Sequence, residues 1–318
     1  MKKMISCDWG TSTLRLRLVD MDKAAVLGEL MNGEGISPTF HAWTNLSLME
    51  ADRLPFYLSV IKGPLSLLEE QVNYSLAGLP VVISGMASSN MGMLELPYKE
   101  LPFSTNGHDL CCRFLPATAL FDHRVLVISG GKTTLDVMRG EETQLIGCAP
   151  SDGVYIFPGT HSKHIWVNER SALSLKTYMT GEFFSLLSKN GILSGSVSEK
   201  GSLFDGSDLE CFEEGVKEGA HSNLLHSAFL VRTNHLLGKY TKEENYYYLS
   251  GLLIGSEIKD LPGQGLPMTV VGNESQKGYY LTAFRTLGMF DVQFVDASDA
   301  VIKGQSKIYT YHEKAITA

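Results

Sequence analysis

Apolar and polar positions alternate most clearly at the start of the chain. Met4 to Asp8 is a short apolar run, and Leu14-Arg15-Leu16-Arg17-Leu18 alternates with the period of two that a strand with one buried face produces. Gly10 to Thr13 is a small-residue turn between them, and Ala24 to Leu30 can supply a third strand. The opening segment therefore reads as a β-meander. A helical region is expected through Leu46 to Gln71, interrupted at Pro55 and Pro64. Leu79 to Ile83 then reads as a buried strand ending at Ser84-Gly85, followed by an irregular stretch to Asp122. Arg124 to Ile128 is a second buried strand. Asp136 to Ala149 has helical spacing, with Met138, Leu145, Ile146 and Ala149 on one face.

Pro150-Ser151-Asp152-Gly153 breaks that pattern, and the β-grammar restarts after it. Val154 to Phe157 reads as a strand, Pro158 to Lys163 as a turn and His164 to Val167 as the returning strand. Helices are expected around Gly181 to Lys189, within Asp208 to Lys239 with breaks, and over Lys242 to Ile258. A strand at Met268 to Val271, a helix at Ser275 to Leu287 and a strand at Val292 to Val295 complete the pattern. Each half is thus a β-meander followed by mixed α/β structure. Gly10-Thr11-Ser12-Thr13 and Gly159-Thr160-His161-Ser162 stand about half a chain apart, as a duplication would leave them. With 318 residues, about twice a common domain, the expectation is two domains, 1–150 and 151–318.

Composition narrows the partners. The chain is 44% hydrophobic and 19% charged, enough apolar side chain for two cores and no disordered bias. Its 27 basic and 35 acidic residues give a net charge of −8, without a Lys/Arg-rich stretch to bind nucleic acid. An anionic substrate must then be held by local groups. Asp8 interrupts the apolar start before a signal peptide could form, and Asn73, Gly78, Pro80 and Ser84 break the uncharged run from Gln71 to Leu94, which excludes it as a membrane span. A cytoplasmic protein is expected. Five cysteines without CxxC spacing fit reduced thiols, and Cys111-Cys112 reads as strand filler.

Three motifs fail on their chemistry. Gly131-Lys132-Thr133 ends like a phosphate-binding P-loop, but Leu126 stands where that loop needs glycine. Gly33-Glu34-Gly35 lacks the third glycine of a dinucleotide fingerprint, Pro38 standing in its place, and no strand-then-helix context is expected around it. His161 and His164 do not share a helical face as metal ligands.

The motifs that survive all suit phosphate and proton transfer. Asp8 ends a strand and is followed by Gly10, Thr11, Ser12 and Thr13, whose backbone N–H groups and hydroxyls can face a phosphate. Asp8 could hold Mg²⁺ through water, since that ion prefers oxygen ligands. Gly159, Thr160, His161 and Lys163 offer matching chemistry plus a cation, so the two turns could grip a nucleotide's phosphates from opposite sides of an interdomain cleft. Gly272 and Asn273 lead from a strand into a helix, where backbone can approach an adenosine. Glu142 falls within an apolar helical stripe and Glu141 at its edge; burial raises a carboxylate's pKa and Arg139 would oppose it. Such a carboxylate can accept a hydroxyl proton, or simply pair with the arginine. Ser84, Gly85, Met86, Ser88 and Asn90 follow a strand end, where open α/β sheets bind ligands. Thr180 reads as a helix cap, and Gly251 and Gly255 as helix-packing positions.

In order and spacing, Asp8-Trp9-Gly10, Ser84-Gly85-Met86, the run Val137 to Gly147, Pro158-Gly159-Thr160-His161 with Lys163, Met179 to Glu182 and Leu249 to Gly255 resemble the 2-dehydro-3-deoxygalactonokinase family. The resemblance implies the α/β architecture of the actin-like, sugar-kinase and Hsp70 ATPase superfamily, with two ribonuclease-H-like domains and ATP between them. It implies transfer of the γ-phosphate of ATP, with Mg²⁺, to the terminal hydroxyl of 2-dehydro-3-deoxy-D-galactonate. Under it, the first domain carries the sugar-acid site and first phosphate loop, and the second carries the other phosphate loop and the adenosine site. Glu141 or Glu142 takes the base role, and Arg139 either pairs with the substrate carboxylate or braces the glutamates. A kinase of another 2-keto-3-deoxy acid and a non-catalytic ATP sensor remain alternatives.

Overall fold

The structure is a computed structural model that describes residues 2–148, 151–199, 206–261, 263 and 265–317. Ala149 and Pro150, which figure in the expected helix stripe and domain break, lie outside the described residues. The first part of the chain forms β1 (Lys3–Trp9), β2 (Leu14–Asp20), β3 (Ala25–Asn32), α1 (Ile36–Asn45), α2 (Arg53–Val72), β4 (Val81–Gly85), β5 (Lys99–Glu100), β6 (Phe103–Ser104), β7 (Cys112–Leu115), β8 (Val125–Ile128), β9 (Gly131–Lys132), β10 (Val137–Met138) and α3 (Glu141–Gly147). There follow β11 (Gly153–Phe157), β12 (Ser162–Asn168), β13 (Ser171–Tyr178), α4 (Thr180–Lys189), α5 (Ser207–His221), α6 (Leu224–Leu236), α7 (Lys242–Ile258), β14 (Met268–Gly272), α8 (Glu274–Thr286), β15 (Val292–Asp296) and α9 (Ala297–Thr317).

One sheet runs β3-β2-β1-β4-β8-β7, with β1 antiparallel to β2 and parallel to β4. β4 and β8 are buried along their whole length, as apolar strands at the centre of a covered sheet must be, while β3 at the edge is partly exposed. Ile5, Leu16, Ile61, Leu65, Leu68, Ile83 and Val127 share one core that joins β1, β2, β4, β8 and α2. A second sheet runs β15-β14-β11-β12-β13-β6. Its order β13-β12-β11-β14-β15 repeats the order β3-β2-β1-β4-β8, which gives the short Gly-Thr similarity a structural basis. This is the mixed α/β arrangement expected of the actin-like ATPase fold. Among the described residues no helix is long and apolar enough to cross a membrane.

Several elements differ from the sequence pattern for identifiable reasons. α1 and β13 were not expected, and α2 continues through Pro64, while Pro55 sits in its first turn, where proline is tolerated. The helix expected from Asp136 starts only at Glu141, because Gly140 has φ +113° and Val137-Met138 pair with Lys132 and Gly131 as strands. The returning strand β12 begins at Ser162, so Lys163 lies within it.

The compact units are also not two consecutive segments. One unit comprises Met1–Ser151, Trp166–Leu175 and Ala297–Ala318, and the other Asp152–Ile165 and Lys176–Asp296. α9, for which the pattern predicted no element, belongs with the first unit. There it meets α3 through glycines at almost backbone distance: a Cβ on Gly147 would lie 1.8 Å from the Ala300 oxygen, and one on Gly304 would lie 1.9 Å from the Thr143 oxygen. Gly304→Ala must push the helices apart, an overpacking cost of roughly 1–3 kcal/mol. Thermal melting should fall by roughly 2–10 °C, and an unshifted melting temperature would refute this close packing.

Candidate functional site

In the first unit, the β1–β4 register sets Asp8 beside Ser84 and Trp9 beside Gly85, and the β1–β2 register sets Asp8 opposite Arg15. Parallel strands that end together leave an open crevice at their carboxyl edge. From that edge the first hairpin continues. Gly10 N–H donates to the Thr13 oxygen at 2.9 Å, and Thr11, Ser12 and Thr13 are exposed. The start of α1 holds the hairpin from behind, with Ile36 and Ser37 N–H donating to the Gly10 and Thr11 oxygens, each at 2.9 Å. Gly35 fits so tightly under the loop that a Cβ there would stand 2.3 Å from Ser12. The Gly33–Gly35 segment thus does lie between a strand and a helix, contrary to expectation, but its tight fit serves the hairpin. The rejected Gly131-Lys132 pair forms β9, where Lys132 meets Glu100 at 3.1 Å. Burial raises the Asp8 carboxyl above its usual range, opposed by Arg17 and Arg15.

Two glycines bring the Arg-Gly-Glu-Glu run to this edge. Gly85 has φ +91°, and a Cβ on it would lie 2.7 Å from the Trp9 oxygen; Gly140, at φ +113°, approaches the Gly85 Cα to 3.6 Å on the same measure. Arg139 Nη1 donates to the Ser88 oxygen at 2.7 Å and to its Oγ at 2.6 Å, and the guanidinium lies 4.1 Å from the Tyr98 ring centroid. Its Nε is buried without a partner. Arg139 N–H donates to Glu141 Oε2 at 2.9 Å, and Glu141 is half-buried. Glu142 is 0% exposed and accepts from Gly140 N–H at 2.8 Å and Thr143 Oγ1 at 3.0 Å. Burial, and then the charge of Glu141, push its carboxyl up to about 7.

Around this edge, supports come from residues that sequence motifs did not reveal. Gln305 of α9 donates to the Cys7 oxygen at 2.9 Å and to Ser84 Oγ at 2.8 Å, tying β1 to β4. Arg53 of α2 donates to the Gly92 oxygen at 2.8 Å and to the Asn90 oxygen, and Tyr57 donates to the Met91 oxygen. Ser84 and Ser88 are buried and committed to these contacts, while Met86 is half-buried and Asn90 exposed.

In the second unit, Gly159, Thr160 and His161 are exposed at the tip between β11 and β12. His161 pairs with Glu182 at 2.5 Å, and Glu182 N–H donates to the Thr160 oxygen at 3.0 Å. Lys163, by contrast, is only 7% exposed within β12. Thr180 does not cap α4; that position falls to Met179, and Thr180 Oγ1 donates to Glu257 at 2.5 Å. Asn273 caps α8 by accepting from Gln276 N–H, and the Gln276 side chain donates to the Pro158 oxygen at 3.1 Å. The Gly272-Asn273 segment is thereby joined to the hairpin. Gly251 and Gly255 pack as expected, each within 2.2 Å, on the Cβ measure, of a carbonyl oxygen of α5. Among the described residues, no group of three His, Cys, Asp or Glu could hold a metal ion.

A family model described as 2-keto-3-deoxy-galactonokinase matches residues 8–308. The chain belongs to this family. A probable 2-dehydro-3-deoxygalactonokinase of Rhizobium meliloti (strain 1021) is 33% identical over 318 residues, 94% of each chain. The 2-dehydro-3-deoxygalactonokinase of Escherichia coli (strain K12) is 34% identical over 222 residues, 66% of this chain and 71% of that one. A crystal structure named as a candidate 2-dehydro-3-deoxygalactonokinase from Sinorhizobium meliloti superposes with a TM-score of 0.76 at 28% identity, covering 96% of both chains. The activator of the 2-hydroxyisocaproyl-CoA dehydratase from Clostridium difficile, solved with ADPNP, shares the fold alone, with a TM-score of 0.50 at 11% identity over 99% of this chain and 96% of that one.

In this galactonokinase-family chain the first unit therefore gathers Asp8, the first hairpin, Ser84 to Asn90 and Arg139 to Glu142 around the ends of two strands. The ionisation of Glu142 is directly measurable. Its carboxyl rises from 4.5 to about 7 on folding, so the folded state binds the proton more tightly, and stability falls as pH rises through that window. Glu142→Gln carries no such charge. Relative to wild type, the variant should gain about 3 kcal/mol in unfolding free energy between acid and mildly alkaline pH, read from denaturant melts. Parallel pH profiles would show that this carboxyl is not perturbed.

Proposed function

We propose that this chain transfers the γ-phosphate of ATP to the terminal hydroxyl of 2-dehydro-3-deoxy-D-galactonate, giving the 6-phosphate and ADP. Family membership supports the reaction class. The convergence of Asp8, Arg139, Glu141 and Glu142 at the β1 and β4 ends is the single structural observation that carries the reading. The two Gly-Thr hairpins are the elements we assign to the phosphates of ATP. For the adenosine we assign the backbone at Gly272, since the Asn273 side chain is engaged in capping. The reaction uses cytoplasmic ATP, and we assign the chain to that compartment.

The residues fit Mg²⁺ in its usual role. One carboxylate, Asp8, stands beside three exposed hydroxyl residues, and no dense ligand cluster is present among the described residues. Mg²⁺ characteristically takes one or two carboxylates, keeps several waters and borrows oxygens from substrate phosphates. When bound, it neutralises charge on those phosphates. Asp8 would hold it, through water or directly.

The substrate hydroxyl forms the new O–P bond while the bond from Pγ to the β–γ bridging oxygen breaks, and ADP leaves with that electron pair. The proton goes to a carboxylate. We assign this to Glu141, because it is partly accessible whereas Glu142 is fully buried. Glu142 then fixes the Gly140 turn by accepting its N–H. Arg139 presents a half-buried guanidinium whose Nη1 is anchored on Ser88, and its planar shape suits the acid's carboxylate.

Glu141→Gln should lower kcat by about 10²–10⁴-fold with an unchanged melting temperature, whereas near-normal turnover would remove it as the base. Asp8→Asn should lose Mg²⁺-dependent turnover with its fold intact. Arg139→Lys should raise KM for the sugar acid roughly tenfold and leave KM for ATP alone. An ADP-release panel across epimeric 2-keto-3-deoxy acids tests the acceptor; equal rates on several, or ADP release independent of any acid, would overturn this substrate assignment.

A further inference from the structure

Beneath the second hairpin runs a buried polar chain with no part in the proposed chemistry. At its centre Glu257 of α7, 3% exposed, accepts from three side chains: His164 Nε2 at 2.9 Å on one oxygen, and Tyr280 OH at 2.8 Å and Thr180 Oγ1 at 2.5 Å on the other. An ionised carboxylate only accepts, so the Tyr280 hydroxyl must spend its proton on Glu257. Its lone pairs then accept from Ser162 Oγ at 3.2 Å, and Ser162 Oγ in turn accepts from Gly159 N–H at 3.3 Å. Ser162 Oγ also lies 3.5 Å from the Gly159 oxygen, so its one proton is shared between that oxygen and Tyr280, while the Gly159 N–H can only donate.

A second branch reaches the same hairpin. Thr180, held by Glu257, begins the turn in which Gly181 lies against the loop, where a Cβ would stand 2.5 Å from the Gly159 oxygen. The next residue, Glu182, donates its N–H to the Thr160 oxygen at 3.0 Å. One carboxylate thus governs Gly159 through Tyr280 and Ser162, and Thr160 through the Thr180–Glu182 turn. Burying a carboxylate is costly, and stability alone is often served as well by apolar side chains of equal volume. Its position at the root of two branches that end on one loop points to control of that loop's geometry.

We propose that Glu257 is a positioning residue for the phosphates of ATP, acting through Tyr280–Ser162 and through Thr180 on the Gly159–Thr160 hairpin. This rests on the assignment of that hairpin to ATP. Tyr280→Phe and Thr180→Val each cut one branch while keeping shape, and Glu257→Gln turns an acceptor into a partial donor and disturbs both. ATP binding by calorimetry, KM for each substrate, kcat and melting temperature are read on the full chain. Each single-branch variant should weaken ATP binding several-fold and Glu257→Gln by about tenfold or more, with KM for the sugar acid unchanged. Glu257→Asp, which restores an acceptor, should recover part of the loss. If Glu257→Gln fails to fold, the two single-branch variants decide the matter alone. Wild-type ATP binding in both, or a fall in melting temperature and kcat with ATP affinity intact, overturns the proposal. A wild-type protein that binds no ATP overturns the hairpin assignment and this proposal together.

Discussion

The parallel pairing of β1 with β4 is the constraint on which the first unit depends. It fixes Asp8 beside Ser84 and brings Gly85 under Trp9. Only a residue without Cβ tolerates the φ of +91° and the contact that this placement requires. Because Gly85 is bare, Gly140 can approach it, and the Arg139–Glu142 segment arrives at the strand ends instead of on the outer surface. Gln305 bridges the two strands where they end, so the edge that presents Asp8 is held by side-chain hydrogen bonds as well as by the ladder.

The two hairpins share a strand order and a Gly-Thr start, yet they are supported differently. The first is backed by main-chain N–H groups at the start of α1 and by the close fit of Gly35. The second has the Glu182 N–H on the Thr160 oxygen and the close fit of Gly181 as well, and adds side chains: Gln276 at Pro158, Ser162 at Gly159, and Glu182 at His161. Main-chain support survives most substitutions, whereas side-chain support is specified residue by residue. Side-chain substitutions would accordingly be felt more sharply at the second hairpin.

Much of this was legible in the sequence where the signal was local. A short apolar run located β1 and period-two alternation β2, the Gly-Thr turns located both hairpins, and the helical position of Glu142 foretold its burial. The resemblance to a kinase family named the reaction class. What escaped were features that exist only through distant partners. Thr180 looks like a cap from its neighbours, but a carboxylate 77 residues away takes its hydroxyl. Lys163 follows a turn motif, but the strand starts one residue before it. α1 begins with Gly35, without a capping side chain, and contains a proline, so no local signal announced it. Gln305 carries no motif at all; its importance arises from the two strands it reaches.

The return of α9 to the first unit bears on how the protein is made. Ribosomes release the chain from its amino end, so β1 to α3 emerge well before their last packing partner. At roughly 5–20 residues per second, the interval between Cys148 and Ala297 is on the order of ten to thirty seconds. Throughout it the α3 face around Thr143 and Gly147 lacks its cover, and the β1–β4 edge lacks the Gln305 bridge. The nascent first unit is thus held incomplete until the second has been synthesised, so assembly of the residues assigned to proton transfer waits for α9.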